Sequence, residues 1–149
     1  NSAYQYRKPF TSHPMFGHDI IYNHPYNLGS AIGRTAEVDF LRFVNSVSNI
    51  DGGVYLSVGS AVMSPMIFEK SFSMSQNIAL QKGTSIKKHS VCVVDLEKSD
   101  WDWRKGEPPQ DNPAYYMRYL KSFSRMCRDM QYLSMDNRNF LLALYHQLK

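Results

Sequence analysis

The residues of this chain that could do chemistry include a Gly-Ser turn that follows an apolar run. Gly59-Ser60 comes directly after Val54–Val58 and precedes Ser64-Pro65, a pair typical of a helix start. Backbone N–H groups at a helix start bind phosphates, and open α/β sheets hold nucleotides at the carboxyl ends of their strands. The turn therefore predicts a phosphate cradle, although a glycine needed only to turn the chain would give the same pattern.

Asp136 is the second candidate, because it follows another apolar run, Met130–Met135. A carboxylate at a strand end can accept hydrogen bonds from ribose hydroxyls. The same side chain is well placed to cap the following helix, and one residue can do both.

Lys121 is the third candidate and lies in a helical segment with Met117, Leu120 and Phe123. A lysine held against apolar surface can act as a nucleophile or a base. Most helical lysines are instead exposed to solvent and have no such role.

Metal and hydrolase chemistry find little support in the sequence. His18, Asp19 and His24 are close in sequence, but neighbours on a strand point to opposite faces and do not converge on an ion. No G-x-S-x-G motif is present. Cys92 and Cys127 are isolated and lack disulfide or metal spacing, which favours a reducing, cytoplasmic compartment.

The elements that must position these residues alternate between strands and helices. Such alternation predicts an α/β fold with a mostly parallel sheet and right-handed crossovers. Residues 1–16 show no period and are predicted to be an extended arm, Leu28–Gly33 is predicted to be a loop, and 17–149 form one domain. The predicted strands are Asp19–Tyr22, Val54–Val58, Ser90–Leu96 and Met130–Met135, and the predicted helices are 36–48 after Thr35, 66–82 after the N-cap Ser64, 113–125 after Asn112 and 139–148 after Asp136.

Composition is that of an ordinary globular protein, with 43% hydrophobic and 20% charged residues over 149 positions. The net charge is +4, but Lys and Arg are scattered, so nucleic-acid binding, which needs a basic stripe with aromatic platforms, is not expected. No apolar run approaches the ~20 residues of a membrane span. Because the chain starts at Asn1 and not at Met, we expect a fragment of a longer protein.

Four segments together resemble the deoxyhypusine synthase family. Pro113–Lys121 is similar to the family's stretch from a proline to its catalytic lysine, at the same separation, and Tyr132–Asp136 is similar to its NAD-binding Tyr-Ala-Asp-Ala. Upstream, Gly17–Tyr22 resembles the family's Gly-Asp-Met-Leu-Tyr, and Gly59–Val62 resembles its Gly-Gly-Gly-Val. The likeness covers most of 17–148.

The resemblance implies a Rossmann-like three-layer sandwich, NAD as cofactor, and assembly into a homo-oligomer, a tetramer in that family. It implies that this chain is the C-terminal part of the protein. It implies an NAD-dependent transferase, which in that family acts on spermidine. Lys121 would form an imine with an amine substrate, and Gly59, Ser60 and Asp136 would contact NAD. Asp19 and Tyr119 would line the substrate pocket.

The chain also departs from the family's pattern. Pro65-Met66 replaces a histidine, Tyr115 replaces an acidic residue, and only Glu107 and Asp111 remain to bind a cationic amine. The alternative is a non-catalytic α/β module that binds a nucleotide or mediates oligomerisation. A basic RNA-associated domain is a third hypothesis, and it requires steeply salt-dependent binding.

Overall fold

The computed structural model describes all 149 residues and centres on a three-stranded parallel sheet. The strands lie in the order β1-β2-β3, with β2 between the other two. This confirms the predicted α/β class and parallel sheet. The strands are β1 (Val54–Val58), β2 (Ser90–Asp95) and β3 (Asp129–Ser134), and the helices are α1 (Ser2–Gln5), α2 (Gly29–Ser48), α3 (Met63–Gln81), α4 (Arg118–Met126) and α5 (Asn137–Gln147).

One face of the sheet carries the main core. Val91 and Val93 of β2 are buried there, as a central parallel strand requires. Tyr55 of β1 stacks on Phe68 of α3 with ring centroids 4.1 Å apart, and its ring lies 5.9 Å from Phe123 of α4. Helices α3 and α4 therefore cover this face. The fully enclosed cluster comprises Val47, Phe68, Val91, Val93, Trp103, Ala114, Leu120, Phe123 and Met130.

The opposite face is only partly covered. Val94 of β2 is fully buried there, and α5, whose Phe140 is also buried, is in contact with β2. On the first strand, by contrast, Val54 is 64% exposed and Leu56 is exposed as well. The sheet thus has one covered face and one face that is open along β1.

Helix α2 divides its apolar residues between two environments. Val44 and Val47 are buried, and the hydroxyl of Ser75 in α3 donates to the Val44 carbonyl at 3.1 Å, so α2 and α3 pack closely. Val38 and Leu41 lie at the same helical spacing but remain exposed. The apolar stripe of Val38, Leu41, Val44 and Val47 is therefore buried only in its second half.

The predicted strand at Asp19–Tyr22 is wrong, because Ile20–Asn23 form a 3₁₀ helix. An apolar run this short needs a neighbouring strand to pair with, and the sheet contains only β1, β2 and β3. The Asp19 carboxylate instead accepts a hydrogen bond from the Met15 N–H at 2.5 Å, which bends the chain before the turn.

The predicted loop at Leu28–Gly33 is also wrong, because α2 begins at Gly29 and runs through Thr35. The Thr35 hydroxyl donates to the Ala31 carbonyl at 2.9 Å. Its polar group is therefore satisfied inside the helix, and Thr35 does not act as an N-cap.

Residues 1–16 contain α1 and continue without regular structure. The Ser12 N–H donates to the Asp39 carboxylate at 3.0 Å, and the His13 ring meets the Phe43 ring at 5.2 Å in an edge-on contact. The segment is therefore attached to α2. Among all the helices, none is long and apolar enough to cross a membrane.

Candidate functional site

The carboxyl edge of the sheet brings together the residues that follow the three strands. The Gly59 N–H donates to the Val94 carbonyl at 3.0 Å, and the Met135 N–H donates to the Asp95 carbonyl at 2.9 Å. The ladder therefore continues one residue beyond β1 and β3, and the three strands end in one row. This row is the position where parallel α/β sheets place ligands.

Gly59 adopts a backbone conformation with φ of +66°, which residues with a side chain adopt rarely. A Cβ built on Gly59 would clash with the side-chain amide of Asn137, the first residue of α5. The exit of β1 and the start of α5 are therefore in direct contact across the end of β2. As a result, α3 and α5 both begin at this edge.

Ser60, not Ser64, serves the start of α3. The Ser60 hydroxyl accepts the Ser64 N–H at 3.0 Å, and the helix begins at Met63. The predicted N-cap at Ser64 is wrong because the Ser64 hydroxyl is engaged by the sheet, with Ser57 Oγ at 2.7 Å and Tyr55 OH at 2.8 Å.

Three backbone N–H groups of this turn make no hydrogen bond within the protein. They belong to Ser60, Ala61 and Val62, which precede the helical ladder of α3. Val62 is the N-cap of α3, and Ser60 and Ala61 precede it, so these N–H groups lie beside the positive end of the helix. Pro65, in the first turn of α3, has no N–H to contribute.

Asp136 caps α5, as predicted from the sequence. Its Oδ1 accepts the Arg138 and Asn139 N–H groups at 3.0 and 3.1 Å, while Oδ2 takes no part in these bonds. The neighbouring Asn137 has a buried side-chain oxygen without a hydrogen-bond partner. The edge therefore presents a carboxylate oxygen and an amide oxygen that can still accept hydrogen bonds.

Lys121 lies on α4 and belongs to a separate cluster of side chains. Its Nζ is 3.4 Å from Glu107 Oε1 and 3.5 Å from the centre of the Tyr115 ring, and its side chain is 13% exposed. Arg125 binds the other oxygen of Glu107 at 2.6 Å. Arg125, and then Lys121, hold the pKa of Glu107 below its usual value.

The positive charge of Lys121 is thus stabilised by groups within the protein. A carboxylate and an aromatic face are the two environments that bind an ammonium group. No hydrogen bond or ion pair joins Lys121 to Gly59, Ser60 or Asp136. Lys121 is therefore not bonded to these three residues in the folded chain.

Tyr119 and Asp19, predicted to line a substrate pocket, have hydrogen-bond partners in different segments of the chain. The Tyr119 hydroxyl is 3.5 Å from that of Tyr132, which donates to the Glu97 carbonyl at 2.5 Å, and burial raises the pKa of Tyr119 above 10.0. Tyr119 thus belongs to the end of β3, whereas Asp19 is bonded to Met15 in the N-terminal segment.

Sequence reasoning missed Asn137. The sequence could have indicated this residue, because Asn137 directly follows the N-cap Asp136. Only the folded structure shows that Asn137 contacts Gly59. The described residues contain no group of three or more His, Cys, Asp or Glu that could hold a metal ion.

The arrangement can bind an anion and a hydroxyl-rich group side by side. Free N–H groups at the start of α3 suit phosphate oxygens, and the acceptors of Asp136 and Asn137 suit hydroxyl or amino donors. No protein-family model, curated protein or solved structure matches this chain.

Proposed function

We propose that this chain is a nucleotide-binding α/β module whose site is the carboxyl edge of its sheet, and that NAD is the ligand to test first. The observation that supports this most strongly is the contact between Gly59, at the exit of β1, and Asn137, the first residue of α5. It brings the turn that leads into α3 beside the start of α5. The unpaired N–H groups of the turn before α3 favour a phosphate group there, whereas the first N–H groups of α5 are already bonded to Asp136.

The phosphate and the ribose of a nucleotide each have a candidate partner at the edge. Phosphate oxygens would accept from the N–H groups of Ser60, Ala61 and Val62. Ribose hydroxyls would donate to Oδ2 of Asp136. The buried oxygen of Asn137 would gain the donor that it lacks, because an unpaired buried acceptor destabilises a protein by about 1–3 kcal/mol.

The fold is compatible with this proposal at the level of class. A parallel sheet with helices between its strands is the framework of Rossmann-like nucleotide sites. The three-layer form, the deoxyhypusine-synthase-like family and assembly into a homo-oligomer are part of the proposal and rest on the resemblance of residues.

The transferase hypothesis also requires residues outside the proposed nucleotide site to give up their present contacts. Lys121 would have to leave Glu107 and Tyr115 to react as a free amine, and Glu107 would have to leave Arg125 to bind a cationic substrate. The observation in its favour is that Lys121 is largely shielded from solvent. The geometry supports binding better than it supports catalysis.

Calorimetric titration with NAD, AMP and inorganic phosphate tests the proposal. We expect saturable binding of NAD and AMP, and Asp136→Asn should weaken it by about tenfold while keeping the helix cap. Asp111→Asn, a substitution of an exposed loop carboxylate, is the matched control and should bind as the parent does. Absence of binding by all three compounds to folded protein would overturn the proposal.

A further inference from the structure

We propose that the groove between the N-terminal segment and α2 binds an acidic, amphipathic helix from a partner protein. This groove, here called the arm groove, has residues 3–10 on one side and 38–46 on the other, with a volume of about 930 Å³. It is open to solvent, as a site for a polypeptide must be, and none of its lining residues belongs to the sheet edge.

The walls of the arm groove are apolar where a partner would pack. Tyr4 and Phe10 of the segment are 89% and 80% exposed, and Val38 and Leu41 of α2 are exposed beside them. Val38 and Leu41 lie three residues apart, so they share one face of α2. An apolar groove of this kind suits a bound helix whose apolar residues are spaced i, i+3/i+4, i+7.

The rim of the arm groove is positively charged. Arg7, Lys8 and Arg42 all line it. Asp39, next to Val38, is bound by the Ser12 N–H and pairs with Arg42 at 3.2 Å, so the charges of this pair cancel, whereas Arg7 and Lys8 form no ion pair. The charge that remains therefore favours an acidic partner, since complementary rims select partners and speed encounter.

The chain itself does not supply this partner. None of its helices carries more than two acidic residues, and α4 and α5 carry none. A second copy would bring the same net charge of +4 and the same cationic rim. The occupant is therefore a helix of different composition.

The groove is built before a partner arrives. Besides the Ser12–Asp39 bond and the His13–Phe43 contact, Arg7 adopts a φ of +51°, which turns the segment back after α1. A preformed wall reduces the ordering entropy that binding must overcome.

Fluorescence anisotropy with three synthetic peptides of about 16 residues, long enough for four helical turns, tests the proposal. The first has Leu at i, i+3/i+4 and i+7 and Glu on the other face. The second has the same residues in an order that removes the period, and the third has Lys in place of Glu. We expect the first to bind about tenfold more tightly than either of the others, and more weakly as salt increases.

Variants inside and outside the arm groove test whether the peptide binds there. Leu41→Asp and the double variant Arg7→Glu/Lys8→Glu should each weaken binding by about tenfold, whereas Leu141→Asp, on the exposed side of α5, should have little effect. All four positions are exposed, and circular dichroism checks that the variants fold. Equal binding of the Lys peptide, an equal loss with Leu141→Asp, or a dimer that Leu41→Asp dissociates would each overturn the proposal.

Discussion

At the scale of single residues, Gly59 is required for two reasons: its backbone has a positive φ, and the Asn137 side chain lies close to its Cα. Gly59→Ala requires both a φ of +66° and space that the Asn137 amide occupies. We expect the free energy of unfolding to fall by about 1–3 kcal/mol, measured by urea denaturation.

Gly33 offers the matched control. It lies within α2 without a positive φ, and a Cβ built there meets nothing within 4 Å. Gly33→Ala should therefore raise the free energy of unfolding by about 0.5–1 kcal/mol, because alanine favours the helix. Equal effects of the two substitutions would show that Gly59 is not conformationally required.

His89 is an ionisable residue enclosed among aromatic side chains. It is 4% exposed, its ring lies 4.9 Å from the Phe72 ring, and neither ring nitrogen makes a hydrogen bond of good geometry. Burial lowers the pKa of His89 below 6.5. The folded protein therefore holds the imidazole neutral at a pH where the unfolded chain begins to protonate it.

This difference predicts acid sensitivity. The contribution of His89 is complete above the unfolded pKa of 6.5 and is lost as the pH falls below it, because the unfolded state then binds more protons. His89→Leu should reduce the loss of unfolding free energy between about pH 7.5 and pH 5, measured by urea denaturation. His146→Leu, at an exposed position of α5, should leave the loss unchanged. If the unfolding free energy of both variants depends on pH as that of the parent does, protonation of His89 is not the cause of the acid sensitivity.

Lys121 distinguishes binding from catalysis. If the chain only binds a nucleotide, Lys121→Ala should leave NAD affinity within about twofold, because the lysine contacts Glu107 and Tyr115 and is not bonded to Gly59, Ser60 or Asp136. Borohydride should then trap no imine on the parent protein with NAD and spermidine. A trapped imine that Lys121→Ala abolishes would contradict the binding-only account and support the transferase hypothesis.

At the scale of elements, the start of α5 depends on one carboxylate. Asp136→Ala removes two hydrogen bonds to backbone N–H groups and should lower the free energy of unfolding by about 1 kcal/mol. Asp136→Asn keeps an acceptor at the cap and should cost much less, as thermal unfolding can show. Equal losses for the two variants would mean that the charge, and not the cap, supports α5.

Some elements were predicted correctly from the sequence and others were not, and the reasons are physical. The bounds of β1 were predicted to the residue because glycines stand on both sides of one apolar run. The strand at Asp19–Tyr22 failed because a four-residue run does not reveal whether a pairing strand exists. The N-cap at Ser64 failed because its contacts with Tyr55 and Ser57 depend on how the strand and helix pack.

At the scale of the whole molecule, the sequence predicted the α/β class and the parallel sheet from the alternation of apolar runs. It also placed Gly59, Ser60 and Asp136 at one edge, since strand ends in a parallel sheet align. It did not reveal that Asn137 would reach Gly59, or that Lys121 would be paired with Glu107. Those contacts arise from packing between segments far apart in the chain.

The open face along β1 is the other feature that the sequence did not predict. Strands of parallel sheets are usually covered on both faces, yet Val54 and Leu56 are exposed in the single chain. The expected homo-oligomer stays a prediction, and this face is one place where a subunit contact would bury apolar surface.

The most direct test of the nucleotide site is NMR of the isotopically labelled chain, whose mass is 17.2 kDa, during titration with NAD. The account predicts that the largest shifts of backbone amide signals occur at Ser60, Ala61 and Val62 and at the start of α5. Signals from α2 should be unaffected by NAD. Absence of shifts, or shifts that centre on Lys121 or the arm groove, would contradict the account.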